Sequence, residues 1–161
     1  MPSIRPEDKI LSPVYTRLNK TARIDEGDWN HCGPLAVAVL TGKPYKEVAK
    51  AFETLTNRKK RKGTRPDFIR DVLDHFGYRL KRLNIDDVLA SYPARWVGAF
   101  KFVTSHHPDR IPAFWKNGKS YLALTSKARH AFAIVDGVNH DWTKARSLRV
   151  AYLFLVTKKS K

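Results

Sequence analysis

The sequence predicts an α+β fold, with helices in the first half of the chain and an antiparallel β-sheet in the second half. Apolar residues recur at helical spacing up to about residue 76, whereas shorter apolar runs separated by turn residues follow from about residue 78. The 161 residues, 42% of them hydrophobic, suffice for one domain with a substantial core. We therefore expect a single domain at residues 25–157, preceded by a basic arm at 1–24 and followed by a basic tail at 158–161.

An apolar helix at about residues 32–41 is expected at the centre of this fold. Pro34 suits the first turn of a helix, and Gly42 suits the position just past its end. Because the segment is apolar all round rather than along one stripe, we expect it to be buried on every side.

Two amphipathic helices are predicted to follow. Residues 45–55 carry one apolar stripe, which is typical of a helix that is packed on one side and exposed on the other. A further helix is predicted at about 66–76, with Thr64 as its cap and Pro66 in its first turn. In the basic arm at 1–24, one short element is expected near Val14 to Leu18.

The second half of the chain is predicted to contain strands and one short helix. Strands are expected at about 78–83, 121–125 and 150–156, with a hairpin at 130–142. A short helix is expected up to about residue 92, starting at Asn84 or Asp86, whereas residues 95–105 fit either a helix or a strand.

The hairpin prediction rests on an Asp-Gly dipeptide at 136–137, which lies between two apolar runs. This dipeptide is the strongest short-range signal for a two-residue hairpin turn. If it forms the turn, Val135 faces Val138, and the register of the whole hairpin follows from that pair.

Cys32 is the only cysteine and lies at the start of the predicted central helix. Unpaired backbone N–H groups at a helix N-terminus favour negative charge, so a thiol ionises more easily there. Cys32 is therefore a candidate nucleophile, and the alternative is a small buried apolar residue. A single cysteine also excludes an intramolecular disulfide and fits a reducing compartment.

A cysteine nucleophile needs a base, and the base needs a group that orients it. In the predicted hairpin register, His130, Phe132 and Asp141 share one face of the hairpin, with His130 and Asp141 as diagonal neighbours. His140 falls on the opposite face and is a poor choice for the orienting group. The alternative is that these polar residues form the rim of an ordinary hairpin.

The motifs then follow a recognisable order: a cysteine on an N-terminal helix, a histidine that begins a strand, and an acid on the next strand. This order resembles the papain-like cysteine hydrolases, more narrowly the small papain-fold proteins of phages and prophages, with some similarity to double-glycine leader peptidases. The matching segments are 32–38, 41–48, 62–66, 76–78 and 130–137, within about residues 28–142. The resemblance implies helices packed on the sheet and a phage or prophage origin.

The resemblance further implies that Cys32 is the nucleophile, His130 the general base and acid, and Asp141 the orienting group. A peptide or amide bond is the implied substrate, cleaved through a thioester. Papain relatives place a glutamine in the oxyanion hole six residues before the cysteine, where this chain has Glu26. Asn30 is the nearby amide that suits this position together with the N–H of Cys32, and it is equally a candidate helix cap.

The net charge of +16 at pH 7 is the second informative feature, because it attracts polyanions such as DNA and RNA. The densest cluster of cations, interpreted as nucleic-acid-binding, comprises Arg58, Lys59, Lys60, Arg61 and Lys62. The alternative for this cluster is a solvated loop. A basic nucleic-acid-binding protein without catalysis, on the same fold, is therefore the alternative function.

Other function classes find little support in the sequence. The histidines and Cys32 lack the spacing of a metal site, so neither a metal nor another cofactor is expected. No apolar stretch approaches the length of a membrane span, and the N-terminus lacks the apolar segment of a signal peptide. We expect a cytoplasmic protein, or one in the host cytoplasm or virion if a phage encodes it.

Overall fold

The structure is a computed structural model that describes residues 13–25, 27, 32–56, 58, 64–84, 118–125, 130–136, 138–140 and 150–160. Within these residues, four α-helices precede five strands that form one sheet, and every strand pair is antiparallel. The fold is therefore α+β, as predicted.

The elements follow one another as helices first and strands last. The helices are α1 (Pro13–Lys20), α2 (Cys32–Thr41), α3 (Tyr45–Leu55) and α4 (Pro66–His75), and a π-helical turn at Thr21–Asp25 follows α1. The strands are β1 (Tyr78–Leu83), β2 (Ser120–Thr125), β3 (Ala131–Val135), β4 (Val138–His140) and β5 (Val150–Lys158). The helices predicted at 32–41 and 45–55 and the strand predicted at 78–83 are confirmed with these bounds. The predictions for residues 85–92 and 95–105 lie outside the described residues.

The sheet has the strand order β1-β5-β2-β3-β4. The last strand in the chain therefore lies between the first two, and it pairs with both of them. Among the described strands, β1 therefore lies at one edge of the sheet and the hairpin strand β4 at the other. No described helix is both long and apolar enough to cross a lipid bilayer.

The apolar helix α2 is the centre of the molecule. It packs against α1, α3 and α4 on one side and against β3 and β2 on the other. Every residue from Gly33 to Ala38 is buried. A helix that is enclosed in this way has no solvent-facing stripe, which is why its sequence is apolar all round.

The central strands of the sheet are buried on both faces. Ala133 and Leu122 face each other across β3 and β2 within the core that contains α2. Their chain neighbours Ile134 and Tyr121 point to the opposite face and are also buried. Burial on both faces explains why these strands are continuous apolar runs instead of an alternating pattern.

Part of the segment predicted as a basic arm belongs to the core. Leu18 on α1 and Ala22 in the π-helical turn are 5% and 0% exposed, and both join the cluster around α2. The packed unit thus begins before residue 25 and includes at least Leu18 and Ala22.

The predicted cap of α4 is wrong. The N-cap position is Arg65, and it has no side-chain capping hydrogen bond. The hydroxyl of Thr64 instead accepts a hydrogen bond from the Arg58 side chain. Pro66 begins the helix with a φ angle suited to the first turn, and its missing N–H removes one of the donors that a cap would satisfy.

The predicted hairpin register is confirmed, because Val135 pairs with Val138. Asp136 in the turn has a positive φ of 47°, a conformation that few residues other than glycine and Asx adopt readily. Its carboxylate Oδ1 accepts a hydrogen bond of 2.8 Å from the N–H of Gly118. Asp136 therefore fixes the turn and ties it to the residues before β2.

Replacing Asp136 with alanine is expected to lower the free energy of unfolding by about 1–3 kcal/mol, since alanine keeps the strained φ and loses the bond to Gly118. Asp136→Gly relieves the backbone strain but still loses the hydrogen bond to Gly118, so it should lower the free energy of unfolding less than Asp136→Ala does. Asp136→Asn keeps an acceptor and tolerates the φ, so it should lie nearest the wild type. Urea denaturation of the three variants measures this order, and equal losses for Ala and Gly would exclude a contribution from strain.

Candidate active site

The structure brings Cys32 and His130 together. Cys32 is the first residue of α2 and is half-buried, and His130 directly precedes β3. α2 packs against β3, and the first residue of β3, Ala131, forms a backbone hydrogen bond to Cys32, so the start of the helix lies beside the start of the strand. The side chain of His130 is hydrogen-bonded to the Cys32 thiol. The predicted nucleophile and the predicted base are therefore direct neighbours.

The surroundings of Cys32 favour the ionised sulfur. Burial on its own raises the pKa of the Cys32 thiol, because it disfavours the charged form. The hydrogen bond and the positive charge of His130 lower this pKa, and backbone hydrogen bonds from Ala131 and Gly33 lower it further. The balance leaves the pKa of Cys32 below its usual range. His130 and the two backbone N–H groups therefore lower the pKa of Cys32 by more than burial raises it.

The two backbone donors come from the ends of regular elements. Gly33 lies in the first turn of α2, where N–H groups have no partner within the helix. Ala131 is the first residue of β3. The sulfur of Cys32 thus accepts from one imidazole and two main-chain N–H groups, which is an environment typical of reactive rather than inert cysteines.

The imidazole of His130 is held from one side by an aromatic ring. The rings of His130 and Phe132 are stacked, with centroids 5.9 Å apart and an angle of 26° between their planes. Phe132 is buried, so it offers a fixed surface to the imidazole. This contact agrees with the predicted shared face of the two residues. Asp141 and Asn30, the predicted orienting group and oxyanion donor, lie outside the described residues.

His140 lies on the opposite face of the hairpin from Phe132, as predicted. His140 pairs with Ala133, which faces the core around α2, whereas Phe132 is on the opposite face of β3. Burial lowers the pKa of His140, which favours the neutral imidazole. His140 therefore lies on the side of the sheet that packs against α2, the helix that carries Cys32.

A close contact beside Cys32 was missing from the sequence prediction. A Cβ atom on Gly33 would lie only 2.6 Å from Cβ of Thr64, so no larger residue fits there without movement. The Thr64 Oγ1 atom accepts a 2.9 Å hydrogen bond from Nε of Arg58. The Arg58 main chain in turn donates its N–H to Oγ1 of Thr56, just past the end of α3. These contacts link the end of α3 to the first turn of α2.

Arg58 occupies a different position from the one predicted for it. Its side chain is only 3% exposed, and it is directed at Thr64 instead of at the solvent. An arginine in this position cannot reach a phosphate on the surface, which corrects the expectation for this residue. The other four cations of the predicted cluster, residues 59–62, lie outside the described residues.

The described part of the chain offers no group of three or more His, Cys, Asp or Glu side chains that would hold a metal ion. Comparisons with protein-family models, with curated proteins and with solved structures found no match to this chain. The geometry around Cys32 and His130 is therefore the feature of this chain that indicates a function.

Proposed function

We propose that this protein is a cysteine-dependent hydrolase of the papain-like type that cleaves a peptide or amide bond through a thioester. The observation that carries the proposal is the hydrogen bond between His130 and Cys32 at the N-terminus of a buried helix. The order of elements supports it further, since the helix that carries the nucleophile packs against the strand that the base precedes. The resemblance to papain-fold proteins of phages favours a peptide substrate.

In the first half of the proposed reaction, the Cys32 thiolate attacks the carbonyl carbon of the substrate, and the carbonyl oxygen takes up the negative charge. Collapse of this intermediate breaks the bond to nitrogen and leaves a thioester on Cys32. The departing amine takes a proton from the imidazolium of His130, which then becomes neutral.

In the second half, neutral His130 removes a proton from a water molecule as the water oxygen attacks the thioester carbonyl. Collapse of the second intermediate releases the carboxylic acid and restores the Cys32 thiolate, with the proton retained on His130. Asp141 is proposed to orient the imidazole, and Asn30 with the N–H of Cys32 is proposed to stabilise the oxyanion.

Acyl transfer to Cys32 is the direct test. Native protein incubated with p-nitrophenyl acetate near pH 7 is expected to gain one acetyl group on Cys32, observed by intact-mass and peptide mass spectrometry. Acylation should be at least about tenfold faster than in the urea-unfolded protein, because positioned acid–base and oxyanion groups accelerate such steps. The acetyl group should then be lost by hydrolysis, with continued release of p-nitrophenol.

Two controls make this test specific. Cys32→Ala should abolish the acetylation and the turnover. The His130→Gln variant should acylate slowly, since glutamine fills a similar space without accepting a proton. If the folded protein acylates no faster than the unfolded chain, Cys32 is a structural residue and the hydrolase proposal is wrong.

A further inference from the structure

A cluster of five cations, exposed except for the half-buried Lys159, lies where the end of α4 meets β1 and the end of β5. We call this cluster the α4–β1 basic surface; its members are Arg70, Arg79, Lys81, Lys158 and Lys159. Arg79 and Lys81 lie on the edge strand β1, opposite Thr157 and Leu155 of β5. Because side chains alternate along a strand, Arg79 and Lys81 project from one face of β1, about 6.7 Å apart along the strand, whereas Lys158, opposite Tyr78, projects from the other face, so the cations flank β1 on both sides.

The end of the chain, predicted as a basic tail at 158–161, is part of this surface up to Lys159. Lys158 is the last residue of β5 and pairs with Tyr78 at the start of β1. The N–H of Lys159 donates a 2.8 Å hydrogen bond to the carbonyl of Gly77, and its ammonium group pairs with Asp74. The two lysines are therefore held beside β1.

Positive charge exceeds negative charge at this surface. Asp74 pairs with Lys159, and Asp71 lies 3.5 Å from Arg70. Lys159 is the main cause of a lowered pKa of Asp74, and Arg70 and Arg79 contribute to it, so three of the cations surround this one carboxylate. In the described part of the chain, no carboxylate forms an ion pair with the three remaining cations Arg79, Lys81 and Lys158.

The composition of this surface indicates the kind of partner. Among the described residues, the exposed large hydrophobic side chains are Val14, Ile24 and Leu55, and none of them lies on α4, β1 or β5. Protein interfaces have an apolar centre, which this surface lacks. Contacts to a phosphate backbone need only accessible cations, and the net charge of +16 adds a long-range attraction for a polyanion.

We propose that the α4–β1 basic surface binds the phosphate backbone of a nucleic acid without reading its bases. The surface lies at the C-terminal end of α4, whereas Thr64 beside Cys32 precedes its N-terminal end, about 15 Å away by the rise of a ten-residue helix. The proposal is independent of the thiol chemistry and stands if the hydrolase function fails.

A charge-matched pair of variants tests the proposal. The surface variant combines Arg79→Gln, Lys81→Gln and Lys158→Gln, which leaves the pairs at Asp71 and Asp74 intact. The control variant combines Arg17→Gln, Lys46→Gln and Lys50→Gln, which removes three exposed cations from α1 and α3. Fluorescence anisotropy measures binding of both variants and the wild type to duplex DNA and to single-stranded RNA across a salt titration.

The wild type is expected to bind both nucleic acids at low salt, with affinity that falls steeply as salt rises. At about 0.1 M salt, the surface variant should bind at least about tenfold more weakly than the wild type. The slope of log K against log salt concentration should also become smaller in magnitude by about 2–3, which is about one for each lost phosphate contact. The control should change affinity by less than about threefold, with little change in slope.

Three outcomes would overturn the proposal. The wild type shows no affinity for either nucleic acid at low salt, the two variants lose affinity equally, or polyglutamate of equal charge displaces the nucleic acid as readily as unlabelled DNA. Unchanged labelling of Cys32 in the surface variant shows that the fold persists, so a loss of binding reports on the surface itself.

Discussion

Replacing His130 with alanine is expected to raise the pKa of Cys32 and to slow its alkylation at acidic and neutral pH. Burial raises the pKa of the thiol, and His130 supplies the two largest opposing influences, a hydrogen bond and a positive charge. Without the imidazole, only the N–H groups of Ala131 and Gly33 oppose burial. Cys32 then becomes a buried thiol that ionises only in alkaline solution.

The pH profile of the reaction with iodoacetamide distinguishes this effect from simple loss of structure. At pH 6, the His130→Ala variant should react at least about tenfold more slowly than the wild type, because each unit of pKa changes the thiolate fraction tenfold below the pKa. Above about pH 9 the rates should converge or cross, since a more basic thiolate is the stronger nucleophile. A structural defect would alter the rates at every pH in the same direction.

His75→Ala is the matched control, because His75 is exposed on α4 and is not among the groups that shift the pKa of Cys32. Its alkylation profile should coincide with that of the wild type. If the profile of His130→Ala also coincides with the wild type, the imidazole does not control the thiol, and the proposed catalytic pair has no chemical basis.

The parts of the fold that follow local rules were predictable from the sequence. Pro34 and Gly42 bracket α2, and the Asp-Gly dipeptide at 136–137 fixes the hairpin register. These signals act over a few residues, so the sequence pattern contains all the information they need. The meeting of Cys32 and His130 was predictable only from the order of the motifs and the family resemblance, because the intervening chain is long.

The residues that the prediction missed depend on tertiary contacts. Thr64 lies two residues before Pro66, and local capping rules favour its hydroxyl as a cap, yet this hydroxyl accepts the hydrogen bond of Arg58. Arg58 begins a run of five cations, and nothing in that composition distinguishes the one that is buried. Asp141 and Asn30 stay predictions, because they lie outside the described residues.

Replacing Gly33 with alanine is expected to destabilise the fold by about 1–3 kcal/mol, the usual cost of overpacking a filled space. The closest contact of the new methyl group is with Cβ of Thr64, which side-chain rotation cannot move away. A shift of Thr64 would also strain its hydrogen bond to the buried Arg58. The sign of the change in unfolding free energy is informative, because replacing glycine with alanine within a helix otherwise stabilises the protein by about 0.5–1 kcal/mol.

The same substitution should also reduce the reactivity of Cys32. The N–H of Gly33 is one of the donors that lower the pKa of the thiol, and Gly33 follows Cys32 directly in the chain. A displacement of the first turn of α2 therefore weakens both this hydrogen bond and the alignment with His130. We expect slower iodoacetamide labelling of Gly33→Ala near neutral pH, even at temperatures where the variant is fully folded.

A double-mutant cycle with Thr64→Gly isolates the contact. Thr64→Gly alone should cost about 1–3 kcal/mol, because it leaves the buried Arg58 without its hydroxyl partner. In that background the methyl group of Gly33→Ala meets no Cβ, so the second substitution should be neutral or stabilising and should not slow labelling further. Urea denaturation and labelling rates of the wild type, the two single variants and the double variant give the coupling free energy between positions 33 and 64. If Gly33→Ala costs as much in the Thr64→Gly background as in the wild type, the contact between these two residues does not hold the first turn of α2 in place.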